Sequence, residues 1–542
     1  MSNSLFRKKS LATILKDANA GLSDGHETGG MHKVLKVKDL TAMGIAAVIG
    51  AGIFSTIGEA AFHGGPAVSI LFVITAVTCG FSALCYAEFA SRVPVSGSAY
   101  TYSYVTFGEL AAWVIGWALI LEYAIGNIAV AISWGGYFNN LLNGLGIGLP
   151  DWLTNNYDSA SPALMAAAPH IFGVPVILNL PAFMIVVLVT YLAYVGIQES
   201  KRTANLMVGL KIAVILFVIA VGAFFVKTEN WHPFMPNGFS GVLQGVSAVF
   251  FAYIGFDAVS TTAEECANPQ RDLPKGMIYS LIICTVLYIL ISFILTGMVP
   301  FTELKVADPL AFVFDKVNMP WISYLISVSA VVATTSVLLV FQIGQPRIWM
   351  SMSRDGLLPK KFSTIHKRFK TPSFATIITG IIVGVPALFL NLTIVTDLTS
   401  IGTLFAFILV CGGVLMLPPQ EKTAEKRFRL PYINSLYVVP PVVAALLYFF
   451  GGDILDRLTF STGWEVWKHN IPFMLFAVVA IITIILACVR RLSAIPVLGL
   501  LSCFYLMTEI GLKNWIVFTI WLLAGLAIYF LYSYSHSKLK KQ

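Results

Sequence analysis

Two apolar stretches carry glycine where a helix gains nothing from it: Ile49-Gly50-Ala51-Gly52-Ile53-Phe54 and Phe251-Ala252-Tyr253-Ile254-Gly255-Phe256-Asp257. Glycine inside a helix costs about 1 kcal/mol relative to alanine. Each stretch lies in a run long enough to cross a membrane. A helix that breaks at membrane depth exposes N–H and C=O groups, which is tolerated only where they line a cavity. The half-helix that follows Gly50 and Gly52 would present the positive end of its dipole, whose natural guest is a carboxylate. Carbonyls of a half-helix ending near Ala252 would point at a cation such as an α-ammonium group, and Phe251 could close one side. A carboxylate on one break and an ammonium on the other is the logic of a zwitterion site at the bilayer midplane. The alternatives are close helix packing through small residues for the first stretch, and a kinked structural helix with aromatic packing for the second.

Ionisable residues within apolar runs are expensive and usually face the protein interior. Lys211 sits in Asn205-Leu206-Met207-Val208-Gly209-Leu210-Lys211-Ile212-Ala213-Val214. It could snorkel to the interface. Alternatively it is a buried amine whose charge follows a transported proton, or one that replaces a sodium ion electrostatically. Asp257 is read as bracing the second break more readily than as touching a substrate. Glu122 either braces helices or contributes to selectivity, and Glu88 reads as structural or interfacial.

A run of about 20 apolar residues can cross the hydrocarbon core. Fourteen candidates are present, at 39–62, 67–92, 109–140, 179–197, 205–226, 240–263, 275–298, 320–350, 372–390, 394–417, 433–451, 471–489, 494–511 and 514–534. The eleventh is the weakest, because Pro440-Pro441 interrupts it. With residues 1–38 and 535–542 as cytoplasmic tails, the outside loops hold only Lys227, Lys305, Lys316, Arg457, Lys468 and Lys513 of the 35 basic residues. Lys211 lies within a span, and all the others fall inside. A bias this large supports fourteen spans with both termini cytoplasmic. Twelve spans, without the eleventh and twelfth, preserve the same parity. The segment 141–178 contains Asp151 and Asp158 and no Lys or Arg, which suits an external loop.

The 542 residues are 57% hydrophobic and only 11% charged, against roughly 25% charged in a soluble domain. The net charge of +8 comes from residues that flank apolar spans, so nucleic acid is not the expected partner. Arg7-Lys8-Lys9 is followed by a polar tract and does not read as a secretory signal. The seven cysteines show no CxxC and no Cys/His metal spacing, so neither a structural disulfide nor a metal is expected. Asn391-Leu392-Thr393 matches a glycosylation acceptor but lies very close to a span, and reads as a chance match. No nucleophile–base motif or phosphate loop points to an enzyme.

Several stretches taken together resemble the amino acid–polyamine–organocation superfamily, and most closely its cationic amino acid transporter branch with bacterial relatives. They are Gly50-Ala51-Gly52-Ile53-Phe54, Phe250 to Ala258, Thr261-Thr262-Ala263-Glu264-Glu265 leading into Asn268-Pro269-Gln270-Arg271-Asp272-Leu273-Pro274, and Gly344-Gln345-Pro346-Arg347 followed by Met352 to Pro359. The resemblance covers spans 1–10 and the final pair. The segment 433–489 resembles two extra spans found in animal members.

The resemblance implies an all-α polytopic membrane protein with a leucine-transporter-like fold. Two inverted repeats of five spans, 39–226 and 240–417, are followed by four additional spans in 433–534. It implies that Ile49, Gly50, Ala51 and Gly52 bind an amino acid's carboxylate, and that Phe251, Ala252 and Ile254 serve its ammonium group and side chain. Lys211 matches the family's intramembrane lysine, a proton-coupling element in bacterial members. Thr334, Val337, Leu338 and Phe341 form a helical stripe on span 8 that could face substrate, although core packing produces the same stripe. The expected function is amino acid import across the plasma membrane by proton symport with alternating access. An amino acid or polyamine exchanger and a non-transporting sensor are the alternatives. The expected partners are a small amino acid and membrane lipids, with the proton as coupling ion and no other cofactor. The preferred amino acid and the oligomeric state stay open.

Overall fold

The computed structural model describes residues 7–8, 35–93, 98–196, 201–417, 428–459 and 463–541. The expected tail 1–38 therefore lies almost wholly outside the described residues, as do Lys422, Lys426 and Arg427. Among the described residues, nine helices are long and apolar enough to cross a membrane. There are ten if Gly238–Gln244 and Val246–Ser260, bent by 43°, count as one span. The chain is thus a mostly helical, multi-pass membrane protein.

In chain order the principal helices are α1 (Val37–Val48), α2 (Ile57–Gly64), α3 (Val68–Arg92), α4 (Ser98–Thr106), α5 (Glu109–Gly144), α6 (Leu180–Val195), α7 (Lys201–Gly222), α8 (Gly238–Gln244) and α9 (Val246–Phe251). They continue with α10 (Pro269–Met298), α11 (Pro309–Lys316), α12 (Pro320–Arg354), α13 (Ser373–Ala387), α14 (Leu392–Met416), α15 (Ser435–Leu458), α16 (Ile471–Val489), α17 (Ala494–Thr508) and α18 (Leu512–Ile528). Three of the fourteen sequence candidates are short apolar helices, α6, α13 and α17. Local residues set some of the helix ends. Asn179 and Asn391 cap α6 and α14 by accepting the N–H groups of Ala182 and Ile394, and Gly196 ends α6 in the left-handed region at φ 83°. The Asn391 side chain is thus committed to a cap. Pro440 and Pro441 do not stop α15, which runs through both.

The packing sorts the helices into two groups. α10 lies along α1 and α3, and α5 lies along α12 and α14. α6 packs on α13, and both reach α12. α15 and α16 pack on each other at the periphery, where only Val439, Ala487 and Val497 form a small separate core. α15 keeps Leu446, Leu447, Tyr448 and Phe449 exposed, as a helix facing hydrocarbon would. Residues 170–175 in the segment between α5 and α6 form a two-stranded hairpin, His170–Ile171 against Val174–Pro175.

The end of the chain closes back onto α5. Trp113 and Trp117 donate to the carbonyls of Gly525 and Trp521 on α18, and Trp521 donates in return to Trp117. Glu109, fully buried, accepts hydrogen bonds from the Tyr529 hydroxyl at 3.0 Å and Ser537 Oγ at 2.5 Å.

Candidate functional site

Both sequence breaks are breaks in the structure. α1 ends at Val48, and after Ile49 and Gly50 the chain resumes as a π-helical turn over Gly52–Thr56 before α2. α9 ends at Phe251, the chain turns through Ala252 to Gly255, and a 3-10 segment begins at Phe256. Gly255 holds φ at 113°, a conformation that side-chain-bearing residues rarely adopt. The turn takes up the last carbonyls of α9, with the N–H groups of Ala252, Tyr253 and Ile254 donating to Val249, Phe250 and Phe251, and the first N–H groups of the half-helix starting at Gly52 have no partner within that half-helix.

The two breaks touch. A Cβ on Gly52 would sit 2.3 Å from the Cα of Ala252, so only hydrogen fits between the two backbones. A Cβ on Gly255 would likewise sit 2.9 Å from the backbone of Ala47, on the last turn of α1. Thr56 Oγ1 donates to the carbonyls of Gly52 at 2.8 Å and Ala248 at 2.9 Å, joining the two halves directly. Other elements hold the breaks open by taking freed carbonyls. Tyr288 on α10 donates to Val48 O at 2.9 Å, Ser400 on α14 donates to Ser247 O at 2.9 Å, and Tyr137 on α5 donates to Phe54 O.

Lys211 does not snorkel. Its side chain is 1% exposed, and Nζ donates to Ala46 O across 3.1 Å. That carbonyl lies one turn before the first break, so the amine of α7 is tied to the end of α1. Asp257 accepts N–H groups of the broken segment itself, including those of Gly255 and Ala258. This is the bracing geometry expected for it. Glu122 is buried on α5, hydrogen-bonded to Thr403 of α14, with Asp257 as its charged neighbour. Glu88 accepts from Arg92 and from the backbone N–H of Leu430. It ties the end of α3 to the segment before α15.

The stripe on α12 divides. Val337 is the member at the break, with Cγ2 3.2 Å from where a Cβ of Gly50 would be. Phe341 stacks edge-on with Tyr123 one turn away, Thr334 returns its hydroxyl to Ala330 O, and Leu338 is buried. Ile49, Ala51, Phe251, Ala252 and Ile254 are all buried around the two breaks. Thr56, Tyr288, Ser400 and the Ser55–Ser133 pair at 2.5 Å were not singled out by the sequence. Only the position of Thr56, one turn after Gly52, signals such a role. Chemically, the junction sets the N-terminal end of one half-helix against the C-terminal end of another, the two dipole ends that suit opposite charges. Among the described residues no group of His, Cys, Asp and Glu could hold a metal ion.

The profile of the family described as amino acid permease matches residues 35–452, and that of the AA_permease C-terminus matches 493–537. The chain belongs to the amino acid permease family. With it, the chain joins the amino acid–polyamine–organocation superfamily, and the family consists of transporters and not enzymes. The permease is 41% identical to the branched-chain amino acid permease BcaP of Bacillus subtilis over 542 residues, all of both chains. It is 38% identical to the methylthioribose transporter of the same organism, over 99% of this chain and 100% of that one. It is also 39% identical to the vacuolar cationic amino acid transporter 2 of Arabidopsis thaliana, over 77% of the permease and 64% of the plant protein.

Proposed function

We propose that the permease imports amino acids across the plasma membrane by proton symport, with both termini in the cytoplasm. Fourteen spans cross the membrane in this reading. Spans 1–5 and 6–10, within 39–226 and 240–417, are inverted repeats, and four spans follow in 433–534. The matched breaks in the first span of each half support the repeat, as does the separate packing of α1 and α3 with α10 and of α5 with α12. Alternating access then moves the broken-helix group against the α5–α12 group.

The observation that carries the coupling is the bond from Lys211 to Ala46 O. A charged amine holds that carbonyl and keeps the end of α1 in place, whereas a neutral amine holds it less firmly. The substrate carboxylate lies at Gly50 to Gly52 and its ammonium group at Phe251 to Ile254. The groups nearest the breaks, Phe251, Ile254 and Val337, favour an apolar side chain, in keeping with the name of the branched-chain amino acid permease of Bacillus subtilis. Uptake of a panel of amino acids into proteoliposomes, with and without an inward proton gradient, tests the reading. Apolar amino acids should compete best and the gradient should accelerate their uptake. Equal uptake without a gradient, or uptake that requires internal substrate, would replace symport by exchange.

A further inference from the structure

The segment 301–316, between α10 and α12, is a short 3-10 turn (Phe301–Glu303) followed by α11. It lies over the second half of the first broken span. Leu304 O would meet a Cβ on Gly58 at 2.3 Å, and the Ala307 Cβ would meet a Cβ on Gly136 of α5 at 3.0 Å. Three polar ties fasten it. Lys305 Nζ pairs with Glu59 Oε1 of α2 at 3.0 Å, and that same oxygen contacts His63 at 3.1 Å. Asn140 Nδ2 of α5 donates to Asp308 Oδ2 at 2.8 Å. Ser323 Oγ of α12 donates to Asp315 Oδ2 at 2.8 Å. Ser327 Oγ donates to Asn140 Oδ1 at 2.9 Å, so the amide is oriented to give its N–H to Asp308. A polar triad thus joins the segment to both helices of the α5–α12 group.

The remaining charged and titratable groups facing this place are few. Tyr137 approaches from α5, Asp315 shares α11, and Lys316 is paired with Glu303 at 2.6 Å on the segment itself. From α2 come Glu59 and His63. Asp308 therefore has a like charge in Asp315 and, among the described residues, no cation at hydrogen-bond distance.

We propose that segment 301–316 is a proton-sensitive latch over the external side of the substrate junction, and that Asp308 is the group that takes up a proton when the latch shuts. Its external placement rests on the topology of the transport reading, but the latch itself does not require flux. In the shut arrangement burial lifts the Asp308 carboxyl from its ordinary 3.8 to about 7, with Asp315 adding to the lift and Asn140 opposing it. Opened to water, the carboxyl returns toward its ordinary value. A group whose value is raised in the shut state stabilises that state fully at low pH, and the contribution is lost as pH rises through 7. With 3.8 in the open and about 7 in the shut arrangement, the shut one is favoured ~30-fold more at pH 5.5 than at pH 8.5.

Hydrogen exchange of the full-length protein in nanodiscs, corrected for the intrinsic pH dependence of exchange, reads this directly. Segment 301–316 should exchange ~30-fold more slowly at pH 5.5 than at pH 8.5. Asp308→Asn should erase that ratio while leaving exchange in α12 unchanged, which shows that the variant is folded. His63→Gln should keep it, because the imidazole touches Glu59 and not Asp308. Lys211→Met should also keep it, so a failure of proton-coupled transport would leave the latch standing. Equal protection at both pH values in the unaltered protein, or an unchanged ratio in Asp308→Asn, would overturn the proposal.

Discussion

Gly52 and Ala252 are 200 positions apart in the chain, yet a single added carbon on Gly52 would collide with the Ala252 backbone at 2.3 Å. The contact makes the two interrupted helices one junction. It follows that a change on either side displaces the backbone of the other.

Gly52→Ala should weaken substrate binding by ~10- to 100-fold, the equivalent of the 1–3 kcal/mol that overpacking typically costs. Ala252→Leu should do the same from the other side. Calorimetric titration of detergent-purified variants, matched for monodispersity, is the measurement. Unaltered affinity in both variants would sink the shared junction.

Carboxyl-amides and N-acetyl derivatives should bind at least ~10-fold more weakly than the parent amino acid. Each modification removes one charge and leaves helix-end polar groups poorly satisfied, at a cost of about 1–3 kcal/mol. A thermal-shift competition with several amino acids and their blocked forms is sufficient. Equal potency of a doubly blocked ligand would contradict the assignment of the two helix ends.

Lys211→Met should keep the fold and part of the substrate affinity but lose the acceleration of uptake by an inward proton gradient. Lys211→Arg should fare no better, because a guanidinium hardly deprotonates. Uptake at several external pH values decides. A full proton response in Lys211→Met would move the coupling group elsewhere.

Gly255→Ala should lower stability by about 1–3 kcal/mol, because φ 113° is strained for alanine and the Ala47 backbone lies 2.9 Å from the new Cβ. Thermal unfolding in detergent reports it. A melting temperature equal to that of the unaltered protein would mean that the turn relaxes without cost.

The breaks were legible because glycine in an apolar run has little other reason to be there, and Gly50, Gly52 and Gly255 all mark real interruptions. Lys211 was legible as an anomaly and read more readily as a buried amine, but its sequence left snorkelling open. The partner that decides between them, Ala46, is 165 residues away. Tyr288 and Ser400 were invisible for the same reason: a tyrosine or serine in a span looks ordinary until the carbonyl it serves is known. Apolar length was a good guide to where helices occur and a poorer guide to where they end. α6, α13 and α17 end two or three residues before their apolar runs do, α6 at the left-handed Gly196. The stripe on α12 shows the limit of periodicity, since it cannot tell Val337 at the junction from Phe341 packed on Tyr123.

Glu109 begins α5 as a fully buried carboxylate, and the hydroxyls that satisfy it belong to Tyr529 and Ser537. During synthesis those hydroxyls arrive more than 400 residues after the helix that needs them. Until then Glu109 lacks the two hydroxyls that satisfy it in the finished fold. A chain shortened before Tyr529 should therefore reach the bilayer and still be recognised by membrane quality-control proteases.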